Sequence, residues 1–257
     1  MKPISEFDPK SVEIVFTDID DTLTDSGQLG HVAYEALWRL KDKGFKVVPV
    51  TGRPAGWCEM IARFWPVDAV VGENGAFYFM YKNKKMRRYF STSLKKYRKE
   101  KRKLEKLEKE ILKKIKGTAV ASDQFCRLFD LAIDFCEDVK PLPIEAAVKI
   151  KKIFEANGAH AKISSIHVNG WFGNFNKLKT CLYWARQELG VDLKKHNKKA
   201  LFVGDSPNDE PMFKFFENSF AVANIDKFLS QIEHTPKFVA SKPGGQGFAE
   251  IVKRLCL

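Results

Sequence analysis

A chain of 257 residues with 44% hydrophobic and 12% aromatic residues carries enough apolar material for one sizeable core, or for one core plus a smaller inserted module, which excludes a disordered chain. No apolar run reaches the length of a membrane span, and the opening MKPISEFDPK has no apolar segment of the signal-peptide kind, so a soluble cytoplasmic protein without a membrane partner is expected. The formal net charge of +12 is concentrated, because residues 94–116 hold twelve Lys or Arg against four Glu.

The first predicted element is a strand in VEIVFTDID, followed by a helix in HVAYEALWRLKDKG with Val32, Ala36, Leu37 and Leu40 on one face and Gly44 as its stop. KVVPVTGR reads as a second strand, PAGWCEMIARFWPV as a short helix opened by Pro54, and AVVGENGA as a third strand. The middle of the chain breaks this rhythm. FYFMYKNKKMRRYF reads as a hairpin, followed by the Lys-rich helix, the strand CRLFDLAIDF, a helix in PIEAAVKIKKIFEANG and a strand in HAKISSIHVNG. ALFVGDS, SFAVAN and KFVAS then resume the first pattern. Near-continuous apolar runs separated by helices fit strands buried on both faces of a parallel sheet. The fold expected is therefore α/β: a doubly wound, Rossmann-like parallel-sheet core of residues 1–81 and 171–257, with an α/β module inserted at 82–170.

In the Lys-rich helix, Tyr97, Leu104, Leu107, Ile111 and Ile115 recur at helical spacing, and Glu105 with Lys109 and Glu110 with Lys114 form i,i+4 pairs. That pattern favours a helix packed on one face and solvated on the other. Steering of anionic substrates comes next, and a nucleic-acid partner is not favoured. The five cysteines (Cys58, Cys126, Cys136, Cys181, Cys256) include no C-x-x-C pair and no histidine at zinc spacing, and read as buried thiols in a reducing compartment.

One stretch resists a purely structural reading. VFTDIDDTLTD crowds Asp18, Asp20, Asp21 and Asp25 directly after an apolar strand. Carboxylates that close repel each other and resist desolvation unless a cation or a phosphoryl group accompanies them. The plain alternative is an acidic turn that caps the next helix. Three further pieces sit at the ends of predicted elements: Thr51-Gly52-Arg53 after the second strand, Lys177 where NFNKLKT opens a helix, and GDSPND (Gly204 to Asp209) after ALFV. Alone, Thr51 also fits a helix cap near Pro54, Lys179 competes with Lys177, and SPND fits an ordinary turn.

Taken in order over the whole chain, these four pieces resemble the haloacid dehalogenase superfamily of phosphatases. The resemblance implies Asp18 as nucleophile, forming an aspartyl-phosphate, and Asp20 as general acid and then base. The alternation of a strand shows only that both side chains reach one site. It implies Mg²⁺ held by Asp18, Asp205 and the Asp20 carbonyl, with Asn208 and Asp209 completing or orienting the shell. Thr51 and Gly52 would bind phosphoryl oxygens, Lys177 would bridge nucleophile and phosphate, and Arg53 and Asn74 stand at strand ends beside them. Asp21 and Asp25 are expected to face solvent or tune a flap; the family often has Gly or Asn where Asp21 stands.

The insert's position resembles the family's second type of cap, in the subgroup that holds sucrose-phosphate, trehalose-phosphate and mannosyl-3-phosphoglycerate phosphatases, with GDSPNDEPMF reading nearest the last. Caps set specificity, so His167 and Asn169, with Asn174 and Trp171 beside them, are candidates for contact with a small phosphorylated substrate. Against this, His167 and Asn169 also fit the outer face of a plain strand. The function implied is a phosphatase for a sugar phosphate or phosphorylated sugar derivative. A phosphosugar mutase of the phosphomannomutase type, or a basic nucleic-acid-binding protein on a hydrolase scaffold, are the alternatives.

Overall fold

In the computed structural model, which describes every residue but Ser165 and the side chain of Leu94, short strand β1 (Lys2–Pro3) precedes the fully buried β2 (Ile14–Thr17). A small hairpin, β3 (Thr24–Asp25) and β4 (Gln28–Leu29), leads into α1 (His31–Asp42). The hairpin turns at Ser26 and Gly27, both at positive φ. Then come β5 (Lys46–Pro49), α2 (Ala55–Phe64), β6 (Val70–Gly72) and the long hairpin of β7 (Phe77–Lys82) and β8 (Lys85–Phe90). Next are α3 (Leu94–Lys114), β9 (Ala119–Val120), β10 (Asp130–Asp134), α4 (Ile144–Ala156), β11 (His160–Ile163) and β12 (His167–Trp171). The chain closes with α5 (Lys177–Leu189), β13 (Ala200–Gly204), α6 (Glu210–Phe215), β14 (Asn218–Ala221), β15 (Phe238–Val239) and α7 (Gly244–Leu255).

Six strands form one all-parallel sheet in the order β1-β15-β14-β13-β2-β5. The run Ile14-Val15-Phe16 shows why both faces had to be apolar. Val15 packs with Leu37, Leu40, Phe248 and Val252, while Ile14 and Phe16 pack with Trp184, Phe202 and Phe213. On α1 the buried stripe is Ala33, Ala36, Leu37 and Leu40; Val32, expected in it, is half-buried one position off the seam. The winding from β2 to β5 goes one way and β13 lies on the other side of β2. A topological switch point therefore falls between β2 and β13, where sheets of this type bind ligands at the strands' carboxyl ends.

A second sheet, all antiparallel, runs β11-β12-β10-β9. Leu131, Ile133 and Val168 from one of its faces form a separate core with Leu104, Leu107 and Ile111 of α3 and Ile150 and Phe154 of α4. This is why α3 tolerates so many lysines: a narrow stripe is buried and the rest of the surface is water-facing. The opposite face of the sheet carries Asp130, Asn169, His167 and Lys162 towards the first domain's strand ends. The hairpin of residues 77–90 joins β6 in a third sheet, β6-β7-β8, and packs its aromatic rings on the α2 and α5 sides of the core. No helix among the described residues is long and apolar enough to cross a membrane.

Candidate active site

The site begins where two neighbouring strands end. Thr17 pairs with Val203, and the Asp18 amide donates to the Val203 carbonyl at 2.9 Å, so Asp18 and Asp205 leave the sheet side by side. Asp209 returns beneath them from the turn after β13, and its Oδ2 accepts from the Asp205 amide at 3.2 Å. A Cβ on Gly204 would collide with that carboxylate, which explains the glycine. Lys177 enters from α5, whose N-cap Asn176 accepts from the Lys179 amide at 2.8 Å. Gly75, at φ +101, lets the loop after β6 pack directly on Asn176 and Lys177, and Thr180 ties to the Gly75 carbonyl at 2.6 Å. So fixed, Lys177 Nζ lies 2.5 Å from Asp18 Oδ1 and 3.0 Å from Asp209 Oδ1. Lys179 lies at the surface instead, against Asn174.

Carboxylate oxygens of Asp18, Asp205 and Asp209 all lie within 4.8 Å of one another, and all three residues are buried. Burial pushes the Asp18 carboxyl up to about 8 despite the pull of Lys177. Burial, then Asp209 and Asp18, hold Asp205 well above the usual carboxylate range. Burial works against the Lys177 ammonium, but Asp18 and Asp209 outweigh it and hold its pKa above the usual lysine value. Three buried carboxylates against one ammonium leave an excess of negative charge. An all-oxygen donor set with that excess fits a hard divalent cation.

Beside this floor lies a cradle of unused donors. Thr51 is buried, and its hydroxyl accepts from the Arg53 amide at 2.9 Å, curling the chain around Gly52. Asn74, at φ +56, turns its side chain back towards Gly52, and its buried Nδ2 has no hydrogen-bond partner. A buried amide without an acceptor is destabilising unless a ligand supplies one. Arg53 is differently engaged. Its guanidinium holds Asp20 (2.9 Å), reaches Glu137 of the second domain (3.3 Å) and stacks 4.6 Å from the Trp57 ring.

The second domain forms the roof. Glu73, fully buried at φ +42, accepts from four backbone amides: Ala55 on its own side, and Leu128, Phe129 and Asp130 across the seam. Arg127 joins Asp123 and Asp130 and donates to the Gly52 carbonyl at 2.9 Å. Asn169 donates to Asp130 at 2.9 Å, and His167 Nε2 lies 2.9 Å from Glu137 Oε2. That His167 nitrogen is close to the carboxylate without hydrogen-bond alignment. The His167 ring, ahead of Arg53, holds the Glu137 carboxyl below its usual range.

Between floor and roof lies a cavity of about 960 Å³, lined by Asp18, Asp20, Gly52, Arg53, Asn74, His167, Asn169, Asp205 and Asn208, among others. His167 and Asn169 thus face the floor and not the solvent. Trp171 is buried against Phe175 and, like Asn174, does not line the cavity. Asn208 lines it with Oδ1 3.3 Å from the Ser206 hydroxyl. Asp21 sits at φ +57, a conformation that suits Gly or Asn best. Asp25 belongs to the small hairpin and lies against Gly244 and Gly245 at the start of α7. Glu73 and Arg127 carry no motif that marks them in the sequence, and Glu73 is overshadowed by its neighbour Asn74 in GENGA.

A profile of the haloacid dehalogenase-like hydrolases matches residues 15–124 and 147–235. The chain belongs to that family. The family is one of hydrolytic enzymes. A phosphoglycolate phosphatase of Methanobrevibacter smithii is 25% identical over 255 residues, covering 96% of this chain and all of that protein. Among solved structures, Thermoplasma acidophilum protein 0175 superposes with a TM-score of 0.73 at 20% identity, over 95% of this chain and 98% of that one. The sugar phosphatase BT4131, of haloacid dehalogenase subclass IIB, superposes at 0.63 and 15% identity, over 94% and 98%. The fold of these structures is shared over nearly the whole chain, inserted domain included.

Proposed function

We propose that the protein hydrolyses a small phosphomonoester, a phosphorylated sugar or sugar derivative, through a phosphoryl group carried on Asp18. The observation that carries this reading is the unbalanced floor: buried Asp18, Asp205 and Asp209 against Lys177 alone, beside the unpartnered Asn74 amide. Asp18 attacks phosphorus while the bond to the leaving oxygen breaks, and Asp20 gives that oxygen its proton. Asp20, now a carboxylate, takes a proton from water as the water attacks phosphorus and frees Asp18 and inorganic phosphate. Arg53 orients Asp20 between these tasks. Lys177 screens one anion from the other as they approach, and Thr51, the Gly52 amide and the Asn74 amide hold phosphoryl oxygens. The oxygen set of Asp18, Asp205 and the Asp20 carbonyl, with Asn208 and Asp209 beside it, suits Mg²⁺, which supplies charge neutralisation at the phosphoryl oxygens.

The two domains divide, in this reading, outside the hairpin of residues 77–90, near Ser91–Ser93 and again near Trp171–Phe175. A start at residue 82 would cut that hairpin at its turn. The enclosed roof then acts as the specificity cap. The test is phosphate release from a panel of phosphomonoesters with Mg²⁺, with chelator, and with Asp18→Asn protein. Release from at least one sugar phosphate or sugar-acid phosphate is expected, falling on the order of 10³-fold or more with chelator or with Asp18→Asn. Release that survives Asp18→Asn would sink the mechanism.

A further inference from the structure

The roof carries a half-buried cation that the protein itself leaves unanswered. Lys162 of β11 stands directly opposite Asn169 of β12, so the two side chains leave the same face of the sheet about 5 Å apart at Cβ. Both line the cavity above Asp18. Among the described residues the Lys162 ammonium makes no ion pair or hydrogen bond, whereas Lys151 at the cavity rim reaches Glu155 at 3.7 Å. Burial, then the positive charges of Lys151 and Lys177, push the Lys162 ammonium below the ordinary lysine range, and Glu210 and Asp209 only partly offset them. A desolvated cation that faces other cations is unfavourable without an anionic companion.

The neighbours point the same way. Asn169, suited to a sugar's hydroxyls, is already engaged with Asp130, and the His167 ring stands 2.9 Å from the Glu137 carboxylate. A neutral hydroxyl there would compete with partners the protein supplies, while an anion would meet a free ammonium. Resting on the phosphatase reading above, we propose that Lys162 binds a second anionic group on the leaving-group side of the substrate. The preferred substrate is then a phosphorylated hydroxy acid, or a second phosphate ester in its place, and not a neutral phosphosugar.

The experiment compares kcat and KM on matched pairs: phosphoglycolate with hydroxyethyl phosphate, phosphoglycerate with glycerol phosphate, and a sugar bisphosphate with its monophosphate. Wild-type, Lys162→Met and Lys162→Arg proteins are run with Mg²⁺. In the wild type the dianion-plus-anion member of at least one pair is preferred. Lys162→Met lowers that preference about tenfold or more, through KM and not kcat, and Lys162→Arg restores it. Response of the first two pairs assigns a carboxylate, and response of the third alone assigns a phosphate. Equal preference in wild-type and Lys162→Met proteins overturns the inference. Nitrophenyl phosphate separates the two levels: if it is cleaved while every pair stays flat, only the role of Lys162 falls, and if nothing is cleaved the phosphatase reading falls with it. Because Met keeps the aliphatic stem that packs on the sheet, the variant is expected to fold, and matching thermal melts confirm it.

Discussion

The floor and the roof of the cavity are built on opposite electrostatic plans. On the floor, like charges are forced together at the ends of β2 and β13, and one lysine falls short of balancing them. At the seam with the roof the buried charges face partners: Arg127 lies between Asp123 and Asp130, Glu137 between Arg53 and His167, and Glu73, on the floor's side, accepts from four amides. Imbalance marks where ligands are expected, and balance marks where one domain is held on the other. Lys162 is the roof's exception, which is why it stands apart from its neighbours.

The sharpest way to expose that contrast is pH. Asp18 has its pKa raised from 3.8 to about 8 in the folded protein. The stability that a raised carboxyl contributes is complete below its unfolded pKa, and is lost as pH rises through the folded one. Asp205 has the same sign. Chelated protein is therefore expected to lose roughly 1 kcal/mol per pH unit for such a group between about pH 4 and pH 8. Thermal melts across that range, with and without Mg²⁺, measure it. Burial and Asp130 also push the Glu73 carboxyl up to about 8, a background of the same sign. The loss should therefore become shallower in Asp18→Asn without vanishing, and Mg²⁺ should reverse the floor's share mainly at the alkaline end. A chelated protein equally stable at both ends would mean that the floor is already balanced.

The next largest effect belongs to the seam. Glu73→Ala strands three roof amides and one amide of α2 without an acceptor. A loss of about 3 kcal/mol is expected in urea denaturation, with a fall in kcat/KM because Asn74 follows directly in the chain. Glu73→Gln keeps one acceptor oxygen and should lose less. Equal stability in all three proteins would show that the roof is held elsewhere.

These two regions also differ in how far the sequence revealed them. Phosphoryl chemistry ties residue type to position tightly, so DIDDT, TGR and GDSPND could be placed at strand ends and Lys177 at a helix start from the chain alone, and the parallel core followed from apolar runs such as VEIVF. The roof offers no such motif. Glu73 acts through backbone amides 55 residues away, which leaves no trace in spacing. Its own positive φ hides in a three-residue turn, Glu73 to Gly75, directly after Gly72. Lys162 is one lysine among many, and only the register of β11 on β12 turns it towards the floor. The hairpin of residues 77–90 was legible as a hairpin, but its attachment to β6 depends on a pairing between segments that local pattern does not specify.

The smallest effect is expected at the most conspicuous feature of the composition. The outer face of α3 holds Lys99, Lys106 and Lys113, all exposed, while Leu104, Leu107 and Ile111 hold the helix to the roof's own core. Exposed pairs such as Lys114 with Glu110 contribute little, since water and salt screen both partners. Replacing the three lysines by Glu should therefore change stability by less than about 0.5 kcal/mol. Any effect on kcat/KM for an anionic substrate should be confined to low ionic strength, where a field of this kind extends beyond about 10 Å. A defect that persists in high salt would require direct contact between this face and the substrate, and would move part of the roof's recognition from Lys162 to α3.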